Sequence, residues 1–285
     1  MNELVFHKKI PDIMKVIQIG DVIDQGITSP IRCVLSNGME AVVKYQKNRS
    51  GTFALVNEWI GNQIADLISL TIPEYGICDL SLDIINQSEH DVEIDKNNAG
   101  LAFFSRYLPD TVPISNSLLE KMTNRETEKV ILFDILTGDF DRHQGNILCS
   151  IKYKKMVFID CSHITTSDGY SLNTPINIPK ALSQECLTDI SILTAPKDNI
   201  YDKLCNSVGF RKDILREEGK RIRNILTDAV LEMLFESIPQ EWISSDFAKQ
   251  RVADLKSVIK CKTSMLDQLI CIIEKERSTR SWKTY

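Results

Sequence analysis

Apolar and polar residues alternate through much of the first third of the chain, and a helical period takes over afterwards. Ile31-Arg32-Cys33-Val34-Leu35 and Glu40-Ala41-Val42-Val43-Lys44-Tyr45 flank Asn37-Gly38. Asn-Gly between two β-prone runs is the strongest short hairpin signal, because both turn positions then need positive φ. A second strand pair is expected around 76–85 and 99–107, flanking the polar stretch Asn86–Asn98. Between these pairs Leu55, Ile60, Ile64, Leu67 and Ile68 recur near a 3.6-residue spacing, and Pro73 closes the helix they predict. Further on, Thr123-Asn124-Arg125-Glu126 reads as a capping box for a helix through Thr137. Ile222, Ile225, Ala229 and Met233 predict a helix over 218–237, and Val252, Leu255, Ile259, Leu266, Leu269 and Ile273 another over 247–275. Lys275 to Tyr285 reads as a frayed tail. Strands gathered before helices predict an α+β protein and not an alternating βαβ fold.

Bulk composition narrows the class only a little. The chain has 285 residues, enough for one large core or two lobes, and 34 basic against 39 acidic side chains. A net charge of −5 gives no reason to expect nucleic acid or an anionic membrane as partner. The basic run from Arg211 to Arg223 is interleaved with Asp213, Glu217 and Glu218, as on a solvated helix face. Eight cysteines form no C-x-x-C pair, and several lie in apolar runs such as Ile270-Cys271-Ile272. They read as reduced core residues of a cytoplasmic protein. The first eleven residues carry no signal-peptide core, and no stretch approaches a membrane span.

Chemistry concentrates in Asp141-Arg142-His143-Gln144-Gly145-Asn146 and, fourteen residues beyond the Asn, in Asp160 at the end of Met156-Val157-Phe158-Ile159. Phosphoryl transfer from Mg-ATP needs those groups in that order. An Asp orients or deprotonates the acceptor hydroxyl, while an Asn and a second Asp hold the metal ions that neutralise the triphosphate. The spacing D-x-x-x-x-N alone is common; its setting between Gly138-Asp139 and a hairpin-like return to Asp160 is less so. Upstream, alternation places Val42 and Lys44 on one strand face. Most strand lysines simply point to solvent. Here the alternative is that Val42 roofs an adenine while Lys44 reaches the α- and β-phosphates. Glu58, early in its helix, either complements the helix dipole or pairs with Lys44. Asp141 is the first candidate base and His143 the second, while His163 reads as structural.

Taken together, Lys44, Glu58, Phe104-Ser105-Arg106-Tyr107-Leu108-Pro109, Asp141-Arg142-His143-x-x-Asn146 and Phe158-Ile159-Asp160 resemble the HipA-like branch of the protein-kinase-like superfamily. The resemblance covers roughly residues 20 to 235. It implies a bilobal kinase fold, with a β-rich lobe over 1–108 and a helical lobe over 109–285. It further implies an ATP- and Mg2+-dependent kinase acting on a Ser or Thr of a protein. ATP would lie against Gly26, Val42, Lys44, Glu58, Ser105, Arg106 and Tyr107, with Asn146 and Asp160 on the metal and Asp141, His143 and Asn146 in catalysis. HipA-like kinases are held to autophosphorylate in the loop over the phosphates, and Thr28 and Ser29 stand there beside Gly26; the other reading is that they only cap a turn before Pro30.

The catalytic stretch is also similar to that of phosphoinositide 3- and 4-kinases. Those enzymes hold an anionic head group with cations, yet residues 161–179 contain no Lys or Arg. A pseudokinase would normally have lost Lys44, Asp141 or Asp160. A metal-dependent hydrolase built on Asp141, His143, Asp160 and His163 would leave Lys44 and Glu58 unexplained. The absence of G-x-x-x-x-G-K-[ST] speaks against a P-loop NTPase. Cys161-Ser162 stands where protein kinases carry Phe-Gly, so an in/out switch of that element is not expected.

Overall fold

In the computed structural model, residues 8–23, 29–46, 51–87, 94, 96–164, 175–194 and 199–279 are described. Five strands close into a barrel in the order β1 (Met14–Val22), β2 (Ile31–Leu35), β3 (Glu40–Lys44), β5 (Gly100–Arg106) and β4 (Tyr75–Leu80). All neighbours are antiparallel except β1 and β4. The β2–β3 turn departs from the expected geometry: only Gly38 takes positive φ, at 78°. Leu35 N donates to Met39 O at 2.8 Å, which leaves a three-residue turn ending in a left-handed glycine. Alternation along β3 sends Ala41 and Val43 into the barrel core with Ile31, Leu35 and Phe104. Val42 and Lys44 take the opposite face, as the period of two requires. The pattern expected around 76–85 is cut short: β4 ends at Leu80 and a helical turn covers Leu82–Gln87.

The helix α1 (Thr52–Leu67) leaves the barrel wall and enters a second core. Every residue from Phe53 to Ala65 is buried, so this is a helix covered on all faces. Its apolar side chains pack with Phe133, Phe158, Leu234, Trp242 and Ile259 in one cluster, separate from the barrel interior. Its polar side chains must then find partners in the protein. Asn57 Nδ2 donates to Ser162 O and Ile164 O at 2.7 and 2.8 Å. Gln63 accepts from Lys9 Nζ at 2.9 Å and donates to Ser237 Oγ at 3.1 Å. Trp59 Nε1 reaches Ser237 Oγ at 2.9 Å, and Trp242 Nε1 donates to Leu101 O at 2.9 Å. Gly61 has no room for a side chain, since a Cβ there would stand 2.5 Å from Cys161 Cβ.

The C-terminal half is helical around a small sheet of β6 (Thr111–Pro113), β7 (Ile147–Ser150) and β8 (Lys155–Phe158). The β7–β8 hairpin carries the chain from Asn146 back to Asp160. Several helix boundaries differ from the periodic reading. The helix through Thr137 starts at Thr127, because Thr123 Oγ1 donates to Lys154 O and Asn124 Nδ2 to Met156 O instead of capping it. The stretch 218–237 is two helices, Lys212–Ile225 and Asp228–Glu236, the second N-capped by Thr227. The break resets the buried face, so Leu231, Leu234 and Phe235 are buried while Met233 is exposed. Residues 247–275 likewise divide into Asp246–Ser264 and Leu266–Thr279. The basic helix is not simply solvated: Arg216 and Arg223 pair with Glu274 and Asp267 of the last helix. Six of the eight cysteines are buried, Cys261 is half-buried and Cys271 is exposed. No helix among the described residues is long and apolar enough to cross a membrane.

Candidate active site

A cleft of about 860 Å3 opens between the barrel and the β6–β7–β8 sheet. Val42, Ile23 and Pro30 line it from the barrel, and Leu148 and Ile159 from the sheet side. Deeper in lie Lys44, Glu58, Asn146, Asp160 and Ser162, with Asp141 and His163 also on the wall. Lys44 is 6% exposed, not the solvated lysine that strand statistics favour. Its ammonium bonds Glu58 Oε1 and, at 2.9 Å, Asp160 Oδ1. Burial disfavours the charged lysine, but the carboxylates of Asp160 and Glu58 outweigh it and hold its pKa above the ordinary value. Glu58 is pushed up by burial, partly offset by Lys44. It lies two turns into α1, beyond the reach of the helix dipole, and Asn62 Nδ2 bonds its other oxygen at 3.0 Å.

Asp160 takes φ of 61°, a left-handed conformation that costs a non-glycine residue about 1–2 kcal/mol. Its Oδ1 collects donors from Lys44 Nζ, Ser162 N (3.1 Å) and Ser162 Oγ (2.5 Å). Burial acts to raise its pKa, and the Lys44 ammonium with the Ser162 bonds reverses this, so the carboxyl lies well below the usual range. On the facing loop Asn146 Nδ2 donates to Asp141 O at 2.9 Å, which leaves Oδ1 as the amide atom able to ligate a cation. Asp141 is the exposed member, with 42% of its side chain accessible. His143 is exposed and its Nδ1 accepts from Gly145 N at 2.9 Å, capping the short turn Gln144–Asn146. The histidine against Asp141 is His163, whose Nδ1 lies 3.3 Å from Asp141 Oδ2.

At the outer end Ser105 pairs with Val42 across the strands, and both line the cleft. Arg106 also lines it, but its guanidinium is paired with Glu74. The Arg32 guanidinium lies 4.2 Å from the centre of the Tyr107 ring. Gly26 and Thr28 lie outside the described residues.

Sequence reasoning missed the support beneath this loop. Arg142 is buried, and its guanidinium bonds Asp134 Oδ1 and Asp139 Oδ2, each at 2.9 Å. It also donates to Ile159 O at 2.7 Å, joining the Asp141 loop to the residue before Asp160. Tyr201 Oη donates to Asp134 Oδ2 at 2.9 Å, and Asp139 Oδ1 accepts Asp141 N at 3.1 Å. One signal was available: Asp134 is a lone acid inside the apolar run Val130–Leu136, where a carboxylate demands a buried partner.

Burial pushes the Asp139 carboxyl up to about 7 against the pull of Arg142. A folded-state pKa above the unfolded one contributes stability below the unfolded value that is lost as pH rises through the folded value. The wild-type protein should therefore lose stability relative to Asp139→Asn between about pH 4 and pH 7. Urea midpoints of both proteins at the two ends of that window check the sign.

The groups fit a nucleotide with a divalent ion. One ammonium between two carboxylates leaves the site negative, and Mg2+ takes few protein ligands, one or two carboxylates completed by phosphate oxygens and water. Among the described residues no cluster of three or more His, Cys, Asp or Glu side chains is placed to hold a metal by itself.

Comparison with known proteins agrees with the geometry. The HipA-like kinase family model matches residues 16–167, just over half of the chain. The search of curated proteins found no match. Among solved structures, the proinflammatory kinase CtkA of Helicobacter pylori superposes with a TM-score of 0.53 at 14% identity, over 94% of this chain and 100% of that one. A Golgi casein kinase gives 0.48 at 10% identity over 90% of this chain and 74% of its own. Its Mn/ADP-bound form gives 0.47 at 10% identity over 91% and 73%. The likeness to CtkA is one of fold alone.

Proposed function

The chain belongs to the HipA-like kinase family, and on that footing we propose that it transfers the γ-phosphoryl group of Mg-ATP to a Ser or Thr hydroxyl of a protein. The observation that carries this reading is Lys44, buried between Glu58 and Asp160 in a cleft whose facing loop presents Asp141 and Asn146. In this reading Lys44 binds the α- and β-phosphates and Glu58 holds it there. Val42, Leu148 and Ile159 supply the apolar walls against which an adenine stacks, with Ser105, Arg106 and Tyr107 along its edge. Asp160 and Asn146 Oδ1 hold Mg2+, which when bound neutralises charge on the triphosphate. Asp141, reachable from solvent, orients the acceptor hydroxyl and takes its proton as the new O–P bond forms and the bond to the β-phosphate oxygen breaks. A protein acceptor suits the lack of cations over 161–179 better than an inositol phosphate does.

Incubation with γ-labelled ATP and Mg2+, alone and with protein from a cell lysate, tests the proposal. Acid-stable label on Ser or Thr is expected. Label recovered only in lipid or as free phosphate would overturn it. Intact mass in the same incubation reports phosphate on the chain itself, and peptide mapping assigns it to Thr28, Ser29 or elsewhere.

A further inference from the structure

Ser162 and His163 stand directly after the metal-side Asp160, and their side chains lead from it to Asp141. The bonds have a readable direction. An ionised carboxylate only accepts hydrogen bonds, so the 2.5 Å contact commits the Ser162 hydroxyl proton to Asp160 Oδ1. Ser162 Oγ is then an acceptor towards His163 Nδ1, 3.1 Å away. Asp141 Oδ2, 3.3 Å from the same Nδ1, is an acceptor too. Both neighbours of Nδ1 accept, so Nδ1 carries the proton. The backbone beneath is fixed independently: Asn57 of α1 holds Ser162 O and Ile164 O, and Cys161 packs onto Gly61 without a gap.

We propose that His163 is a positioning residue for Asp141, and that Ser162 and His163 together tie the acceptor-side carboxylate to the metal-side one. The proposal rests on the reading of Asp141 as the group facing the acceptor hydroxyl. Asp141 is otherwise a half-exposed side chain on a loop, free to sample rotamers. A donor held against Oδ2 selects one of them and turns the other oxygen to the acceptor. The contact tightens when the cleft fills, as catalytic hydrogen bonds commonly do on binding.

The geometry dictates the test. An asparagine amide places its N–H near the position of Nδ1, whereas glutamine places it near Nε2. His163→Asn should keep kcat near the wild-type value, while His163→Ala and His163→Gln lower it about 10- to 100-fold with KM for ATP unchanged. Ser162→Ala, which removes one of three donors to Asp160 Oδ1 and also the Oγ beside His163 Nδ1, should raise the Mg2+ requirement as well as lower kcat. Equal losses in all three His163 variants, or a change confined to KM, would overturn the proposal. A second readout needs no turnover. In the ligand-free protein with 15N-labelled histidine, His163 should show a protonated Nδ1, and an Nε2–H tautomer overturns the contact. If the wild-type protein transfers phosphate to no acceptor, the functional reading fails, and the tautomer alone then decides the hydrogen bond.

Discussion

Replacing Asp160 with alanine is expected to remove Mg2+-dependent nucleotide binding and phosphoryl transfer together. Asp160 Oδ1 is where Lys44 and both Ser162 donors converge, and the loss of the carboxylate leaves Lys44 to Glu58 alone. Glu58 is a poor substitute, because Lys44 and Asn62 already engage it. Metal-borne charge stabilisation is worth several kcal/mol, so turnover should fall by about 1,000-fold or more. The substitution also acts on the fold. The depressed Asp160 pKa contributes stability above the unfolded carboxylate pKa that is lost as pH falls, and alanine is tolerated no better than aspartate at a left-handed φ, so both effects destabilise the variant. Circular dichroism must therefore accompany calorimetry with Mg-ATP. No heat of binding in a folded variant is the expected result, and retained affinity would refute the metal-side assignment.

Asp141→Ala should behave in the opposite manner, keeping Mg-ATP affinity within a few-fold while kcat falls by about 100- to 10,000-fold. The structure gives a reason for the separation. What Asn146 Nδ2 grips is the backbone carbonyl of residue 141, which alanine retains, so the metal-side loop keeps its shape. The guanidinium of Arg142 and the Asp139 bond to the 141 amide are likewise untouched. Calorimetry showing that the Asp141 and Asp160 variants lose ATP equally would contradict the division of roles between them.

The candidate site was legible where chemistry and local spacing coincide. A period of two fixes which face of β3 Lys44 occupies, and five residues is the reach that lets Asn146 bond the Asp141 carbonyl. The hairpin returning to Asp160 was legible for the same local reason. What stayed hidden depends on partners far along the chain. Asn57 finds Ser162 and Asp134 finds Tyr201, and a sequence window that shows a lone acid in an apolar run does not name such a distant partner. His143 follows Asp141 by two residues and His163 follows Asp160 by three, and only the β7–β8 return brings the second ring to Asp141 while the first turns back on its own loop. Helix boundaries failed where a polar side chain preferred a tertiary bond or a cap. Asn124 is committed to β8, and Thr227 starts a new helix within an apolar period that runs through it.

The burial of α1 bears on how this protein comes apart. By chain order the helix lies inside the barrel segment, between β3 and β4, yet its side chains belong to the helical core. A fragment ending near residue 108 would carry Phe53, Leu55, Trp59 and Ile60 without most of the core they pack in, keeping only partners such as Tyr75 and Phe103. The helical half expressed alone would lose the centre of its own core. The barrel is therefore not an excisable folding unit. Denaturation should follow one transition reported alike by Trp59, on α1, and Trp242, beyond it, and translation must be nearly complete before either half can settle.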